Sequence, residues 1–279
     1  MWQSFKLGYE WLGILVFLLV VGCNHPKEKS NQDASIINEI NDLFQQQVAD
    51  FEQHLKDFKI AIESDSSQDF NANFKSTFLS FKQFGFILEY YDAQLYGYFN
   101  GAPIAKEDMG NPYPNVITPK GLQVIYELIE NPAENKSELL EQVDYLIYQL
   151  QFVRQINAQN EITAQAVFNA VQQHLLRFET LSLAGFDNPS LQNEYEYLAN
   201  ELNALNAYLS IAQNAFAIAS QSKTPILIQY DSSLVNHKLQ FIKEKLYPFK
   251  QQLAVFVDSE SERISPIRSN FTISMMPIF

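Results

Sequence analysis

Apolar side chains recur along this chain at steps of three and four, and that period leaves little choice of fold. Ile37, Ile40, Phe44, Val48, Phe51, Leu55, Phe58 and Ile62 form one such line. An α-helix gathers them onto a single face, because 3.6 residues make a turn. After a break at 64–67, a second line runs Phe74, Phe78, Phe81, Gly85, Leu88, Tyr91, Leu95. Leu139, Val143, Leu146, Leu150 and Val153 make a third; Ala164, Val167, Val171, Leu175 and Phe178 a fourth; Tyr195, Leu198, Leu202, Leu205 and Leu209 a fifth. The last runs Leu239, Ile242, Leu246, Phe249, Leu253, Phe256, with Pro248 inside it, where a kink is expected. No segment alternates for long with the period of two that a half-buried strand needs. With Gly 9 in 279 residues, a turn-rich β fold and glycine-rich phosphate loops are both disfavoured. The expected fold is all-α, with about seven mostly long helices packed antiparallel. They form one elongated or two adjoining helical bundles, divided at the 100–120 loop.

The interruptions have their own chemistry. Asn100-Gly101-Ala102-Pro103 is a turn sequence, and Pro112, Pro114 and Pro119 keep the following stretch extended. A loop of about 20 residues inside a compact domain is uncommon and often functional. A short helix is expected from Lys120 through Ile129, ended by Pro132. Gly185-Phe186-Asp187-Asn188-Pro189 is a sharp break, with Ser190 placed to cap the next helix, and Thr224-Pro225 is another.

The start of the chain carries an address. Met1 and Lys6 precede an apolar core from Trp11 to Val21, which closes on Gly22-Cys23. The run is shorter than the roughly 20 residues a bilayer span needs and ends in small residues, as a cleavage site does. This predicts a lipoprotein signal at 1–22, lipidation of Cys23, and a polar tether over 23–34. The globular domain is then 35–257 and a tail 258–279, whose Ile264, Ile267, Phe271, Ile273, Met275, Met276, Ile278 and Phe279 are apolar. The expected location is the cell envelope, facing the periplasm, with the outer membrane preferred; the lipid provides the contact with the membrane. Cys23 is the single cysteine, so disulfides and cysteine-based zinc sites are excluded, as is a Cys-x-x-Cys-His haem attachment. A net charge of −13 repels phosphate backbones and disfavours nucleic acid as a partner.

Three pieces, in this order and spacing, resemble a known family. They are Tyr91 followed by Asn100-Gly101-Ala102-Pro103, then Thr118-Pro119-Lys120-Gly121-Leu122-Gln123-Val124-Ile125-Tyr126-Glu127-Leu128-Ile129, then Leu183-Ala184-Gly185-Phe186-Asp187-Asn188-Pro189. Together they resemble the imelysin-like helical N-terminal region of exported di-haem cytochrome c peroxidases. The resemblance covers about residues 35–257, without the haem-binding half. It implies an imelysin-like bundle and an association with a periplasmic di-haem cytochrome c peroxidase or with iron handling. Against the imelysin Gly-x-His-x-x-Glu motif, Gly121 matches the glycine. Gln123 stands in the histidine position and Tyr126 in that of the glutamate, with Glu127 one step, about 100°, further round the helix. Iron binding is therefore not favoured, and haem is expected only through a partner.

The candidate binding loop and motif are Asn100, Gly101, Gly121, Gln123, Glu127 and Asp187. A carboxylate cation site near the 100–127 loop would draw on Glu127 with Glu107 or Asp108. Hard cations need several oxygens close together, however, and no loop has that spacing. Asp187 is expected instead to form the turn before Pro189. His25, His54, His174 and His237 show no i, i+4 pairing, and the expectation is surface or internally satisfied histidines without a metal. The acidic residues spread over the helices are expected on solvated faces. No nucleophile–base pair is evident. The chain by itself is expected to be a binding or scaffold module, with a truncated or split peroxidase and an iron-binding protein as alternatives.

Overall fold

The computed structural model describes residues 31–64, 70–107, 116–188, 194–220 and 226–261. The lipid signal, Cys23, Asp108, Pro112, Pro114, Ser190, Thr224-Pro225 and the apolar part of the tail lie outside the described residues. The chain divides into a unit Met1–Ser35, of which the beginning of the first helix is described, and a unit Ile36–Phe279 that holds the fold. The protein is all-α, about 80% helical.

Helix α1 (Asn31–Glu63) buries Ile36, Ile40, Phe44, Val48, Phe51, Leu55, Phe58 and Ile62. Ile37 sits half-buried beside this face. Helix α2 (Phe70–Tyr91) is buried on nearly all sides. The second apolar line does not continue as one helix: Asp92 interrupts it, its carboxylate accepting the Leu95 N–H at 2.8 Å as the N-cap of α3 (Ala93–Asn100). In the stretch after Asn100, β1 (Lys106–Glu107) pairs antiparallel with β2 (Val116–Ile117), Lys106 opposite Ile117. Helices α4 (Leu122–Leu128), α5 (Lys136–Gln159) and α6 (Ala164–Arg177) follow. Thr163 caps α6 by accepting the Ala166 N–H at 3.2 Å. A π turn over Phe178–Ser182 extends α6. Helix α7 (Glu194–Ser220), the one-turn helices α8 (Ser233–Asn236) and α9 (Lys238–Phe241), a second π turn (Ile242–Leu246) and α10 (Tyr247–Ser261) complete the order.

That second π turn corrects the last apolar line. Its extra residue shifts the phase, so Phe241 and Leu246 are buried while Leu239 is 73% exposed. Pro248 follows directly on this π turn, as the second residue of α10. Tyr195, placed on the fifth line, is exposed at the edge of α7.

One hydrophobic core links α1 through α10. Helix α2 packs on α3, α6 and α7; α3 and α4 lie on α5, and α10 lies on α6. The densest part is aromatic. Phe51 touches Phe81, Phe84 and Phe99 at ring-centroid distances of 5.6, 5.7 and 5.8 Å, Phe44 meets Phe84 edge-on at 5.8 Å, and Phe81 stacks on Phe99 at 5.6 Å. Such pairs add about 0.5–1.5 kcal/mol each beyond the area they bury.

Candidate functional site

Behind the aromatic face, α2 carries Lys82 and Glu89, seven residues apart and therefore two turns along the same side. They meet a second set of polar groups. Helix α6 supplies His174 and Arg177, three apart on one face. The π turn supplies Ser182, the break after it Asp187, and α7 supplies Glu201. His174 lies between two carboxylates, with Nε2 2.6 Å from Glu201 Oε1 and Nδ1 3.4 Å from Glu89 Oε2. Ser182 Oγ donates to the same Glu201 oxygen at 2.9 Å, and the Lys82 ammonium reaches Glu201 Oε2 at 3.4 Å. Arg177 donates in a fork to Asp187, from Nε at 2.5 Å and from Nη2 at 2.6 Å, and from Nη1 to Glu89 at 3.1 Å. Its guanidinium lies over the Tyr96 ring, 4.7 Å from the centroid. The side chains of Lys82, His174, Asp187 and Glu201 are all but fully buried.

The charges balance only with a cationic histidine. Lys82, Arg177 and an imidazolium at His174 oppose Glu89, Asp187 and Glu201; a neutral imidazole would leave one buried negative charge unopposed. Burial works against the charged ring of His174, yet the hydrogen bonds and charges of Glu201 and Glu89 raise its pKa above the usual 6.5. For Glu201, burial favours the neutral acid, but Lys82 and the hydrogen bonds from His174 and Ser182 outweigh it and bring the carboxyl down to about 2. Glu89 is likewise lowered: burial opposes this, and His174 and Arg177 overcome it.

The structure brings four of the six candidate residues to one edge of this cluster. Asn100, buried at the end of α3, donates from its amide to the Tyr96 hydroxyl at 3.0 Å and to Asp187 at 3.4 Å. Gln123 on α4 donates to the Asn100 carbonyl at 3.3 Å and to its side-chain oxygen at 3.4 Å. Gly121 has φ +113°, and a Cβ there would lie 2.6 Å from the Phe99 carbonyl oxygen and 2.8 Å from that of Tyr98. Its N–H is taken by Gln142 at 3.1 Å. A side chain at Gly121 would thus push α4 away from the end of α3. Gly101 ends α3, where a Cβ would run into the Gly97 carbonyl oxygen. It has no contact with the charged groups. Glu127 lies apart, exposed on the outer side of α4, while Tyr126 packs its ring 5.9 Å from Phe74. Glu107 is exposed in β1. Asp187 is not simply a turn former; it is the carboxylate that Arg177 holds.

Sequence reasoning missed Lys82, Glu89, Arg177 and Glu201, and the expectation of solvated faces fails for Glu89 and Glu201. A signal was present. Glu201 stands between Leu198 and Leu205 on the apolar line of α7, and Lys82 lies one helical turn from both Phe78 and Phe86. A charge so placed is carried inward with its neighbours. His174 is an internally satisfied histidine, as expected.

Chemically, the cluster joins α2, α3, α6, the 182–188 segment and α7 through groups that bond one another. His174, Glu89 and Glu201 are metal-ligand types, but Lys82, Arg177 and Ser182 already occupy the carboxylates. Among the described residues no group of three or more His, Cys, Asp or Glu side chains is arranged to hold a metal ion. Among the same residues no helix is long and apolar enough to cross a membrane. No protein-family model matches the chain, and no curated protein matches it.

Proposed function

We propose that this chain is a lipid-anchored binding or scaffold module of the cell envelope, imelysin-like, that works beside a periplasmic di-haem cytochrome c peroxidase or in iron handling. One observation carries the non-catalytic part of this reading: Asn100, Gly121, Gln123 and Asp187 are engaged in architecture. Gly121 lets α4 close onto the end of α3. Asn100 ties that corner to Asp187, and Arg177 ties Asp187 to α6 and, through Glu89, to α2. A rigid bundle with its polar groups turned on one another suits a surface that presents a fixed shape to a partner. The location rests on the signal sequence and Cys23. The peroxidase association rests on the resemblance of the three sequence pieces. An iron-binding role has less support, because Gln123, in the histidine position, spends its amide on Asn100.

The test is a pull-down from an envelope lysate with the tagged chain as bait, the eluate examined for Soret absorbance. A co-purifying c-type cytochrome supports a docking role beside a peroxidase and equally fits a split peroxidase; a haem-binding sequence in the adjacent reading frame distinguishes the split form. A haem-free eluate removes the peroxidase association and leaves a free-standing module.

A further inference from the structure

A groove of about 350 Å³ opens between α1, α2 and α7. That volume suits a small organic molecule. Helix α1 lines it with Gln47, Asp50 and His54, and α2 with Leu79, Ser80 and Gln83; Asn200 comes from α7. Steps of three and four put each set on one face of its helix. Thr77 ties the two helices together, its hydroxyl donating to the His54 carbonyl at 3.2 Å.

The bonds among the lining groups decide what each has left to offer. Gln47 Oε1 accepts the Tyr208 hydroxyl at 2.7 Å, so its amide N–H groups remain as donors. Asn200 Oδ1 accepts from Gln83 Nε2 at 2.6 Å, which leaves the Asn200 amide as a donor and Gln83 Oε1 as an acceptor. Ser80 gives its hydroxyl proton to the Thr77 carbonyl at 2.8 Å and keeps its lone pairs. Its proton is thus not aimed at His54, and the two are not a nucleophile with its base. Asp50 is exposed and, among the described residues, forms no ion pair. His54 Nδ1 is enclosed and, among the same residues, has no hydrogen-bond partner. Buried polar atoms in native proteins ordinarily have one.

We propose that this groove binds a small neutral polyol, the size of one sugar ring. Hydroxyls both donate and accept, and the groove asks for both: Gln47 and Asn200 donate, while Ser80, Gln83 and Asp50 accept. An anion would meet Asp50, and no lysine or arginine lines the groove among the described residues. An ammonium would use the acceptors and leave both amide donors unmatched. Leu79 supplies an apolar surface for the C–H face of a ring. The His54 imidazole turns about its terminal torsion, a soft coordinate, to bring Nδ1 to a ligand hydroxyl and so gain the partner it lacks. This site stands apart from the peroxidase association and needs no partner protein.

The test titrates glucose, galactose, mannose and N-acetylglucosamine separately against the full chain in a sugar-free detergent, with binding read by saturation-transfer difference NMR. Ethanolamine and methyl phosphate serve as the cationic and anionic probes. At least one sugar is expected to saturate below about 10 mM and to bind more tightly than either charged probe. Asp50→Ala is expected to weaken that binding about tenfold, the loss of one hydrogen bond to a charged group. Ser76→Tyr, which fills the groove from an exposed position, is expected to weaken it by at least as much. Thermal melting confirms that both variants fold. No sugar saturating by about 10 mM, a charged probe that binds more tightly than every sugar, or an affinity unchanged in either variant overturns the proposal.

Discussion

Helix α2 faces two different interiors. Towards α1 and α3 it presents Phe81 and Phe84 to Phe44, Phe51 and Phe99. Towards α6 and α7 it presents Lys82 and Glu89 to His174, Arg177 and Glu201. Both sides are largely closed to water, with part of Arg177 and Glu89 still exposed, but they hold together by different rules. The aromatic side gains from area and contact, which are non-directional, so a neighbour can shift and most of the energy survives. On the charged side each group is tolerable only because a specific opposite group meets it, and desolvation is severe once that partner is gone. One helix therefore has a forgiving side and an exacting one.

The contrast is sharpest in a matched pair of conservative substitutions. Glu201→Gln keeps the shape but removes the charge that Lys82 and His174 share, and should cost about 3–5 kcal/mol in urea unfolding. Phe84→Leu, in the aromatic side, should cost only about 1–1.5 kcal/mol. If the leucine variant proves the less stable of the two, the division between the faces is wrong.

Next in size is the pH response, to which the charged side of α2 contributes and the aromatic side does not. His174 has a folded pKa raised above its unfolded 6.5. Its contribution is complete below about pH 6.5 and is lost as pH rises through the folded value. Glu201 is depressed from 4.5 to about 2. Its contribution is present above about pH 4.5 and is lost as pH falls towards 2. The two shifts share one hydrogen bond and do not add as independent terms. A stability profile measured from pH 3 to 10 should fall at both ends, and His174→Gln should flatten the alkaline fall. A variant with the same alkaline slope would remove His174 from the account.

Gly121→Ala comes next, at about 1–3 kcal/mol, because an L side chain at φ +113° meets the Phe99 and Tyr98 carbonyls. Thermal melting measures it; a neutral result would mean that α4 is free to shift off α3. The smallest effect is expected at Glu127→Gln, within about 0.5 kcal/mol, since the side chain is exposed. A larger loss of stability there would give Glu127 a structural role that its position denies.

How much of this was legible in the sequence depended on whether a local period carried the information. The α1 line, Ile40 to Ile62, could be read directly because each residue's burial follows from its place in a 3.6 repeat. Leu239 was misplaced because a π turn changes the repeat by one residue, and nothing in Ile242–Leu246 announces it. Asn100 stood out as turn chemistry and Gly121 as the motif glycine of the resemblance, and they prove to be hydrogen-bonding and packing positions. Lys82, Glu89, Arg177 and Glu201 were not assembled because their partners lie far off in sequence; Lys82 and Glu201 are 119 residues apart. Periodicity could have said that Glu201 points inward. It could not say what Glu201 meets there.

The balanced charges of the cluster also restrict the routes by which this sequence can change. Replacing Lys82, Glu89, His174, Arg177, Asp187 or Glu201 one at a time leaves an opposite charge stranded in the interior. A concerted replacement by apolar side chains of similar volume could be neutral or even stabilising. The two states are separated by intermediates less stable than either. A lineage that acquired this arrangement is held in it by the instability of each first step away, whether or not the arrangement still serves the purpose for which it arose.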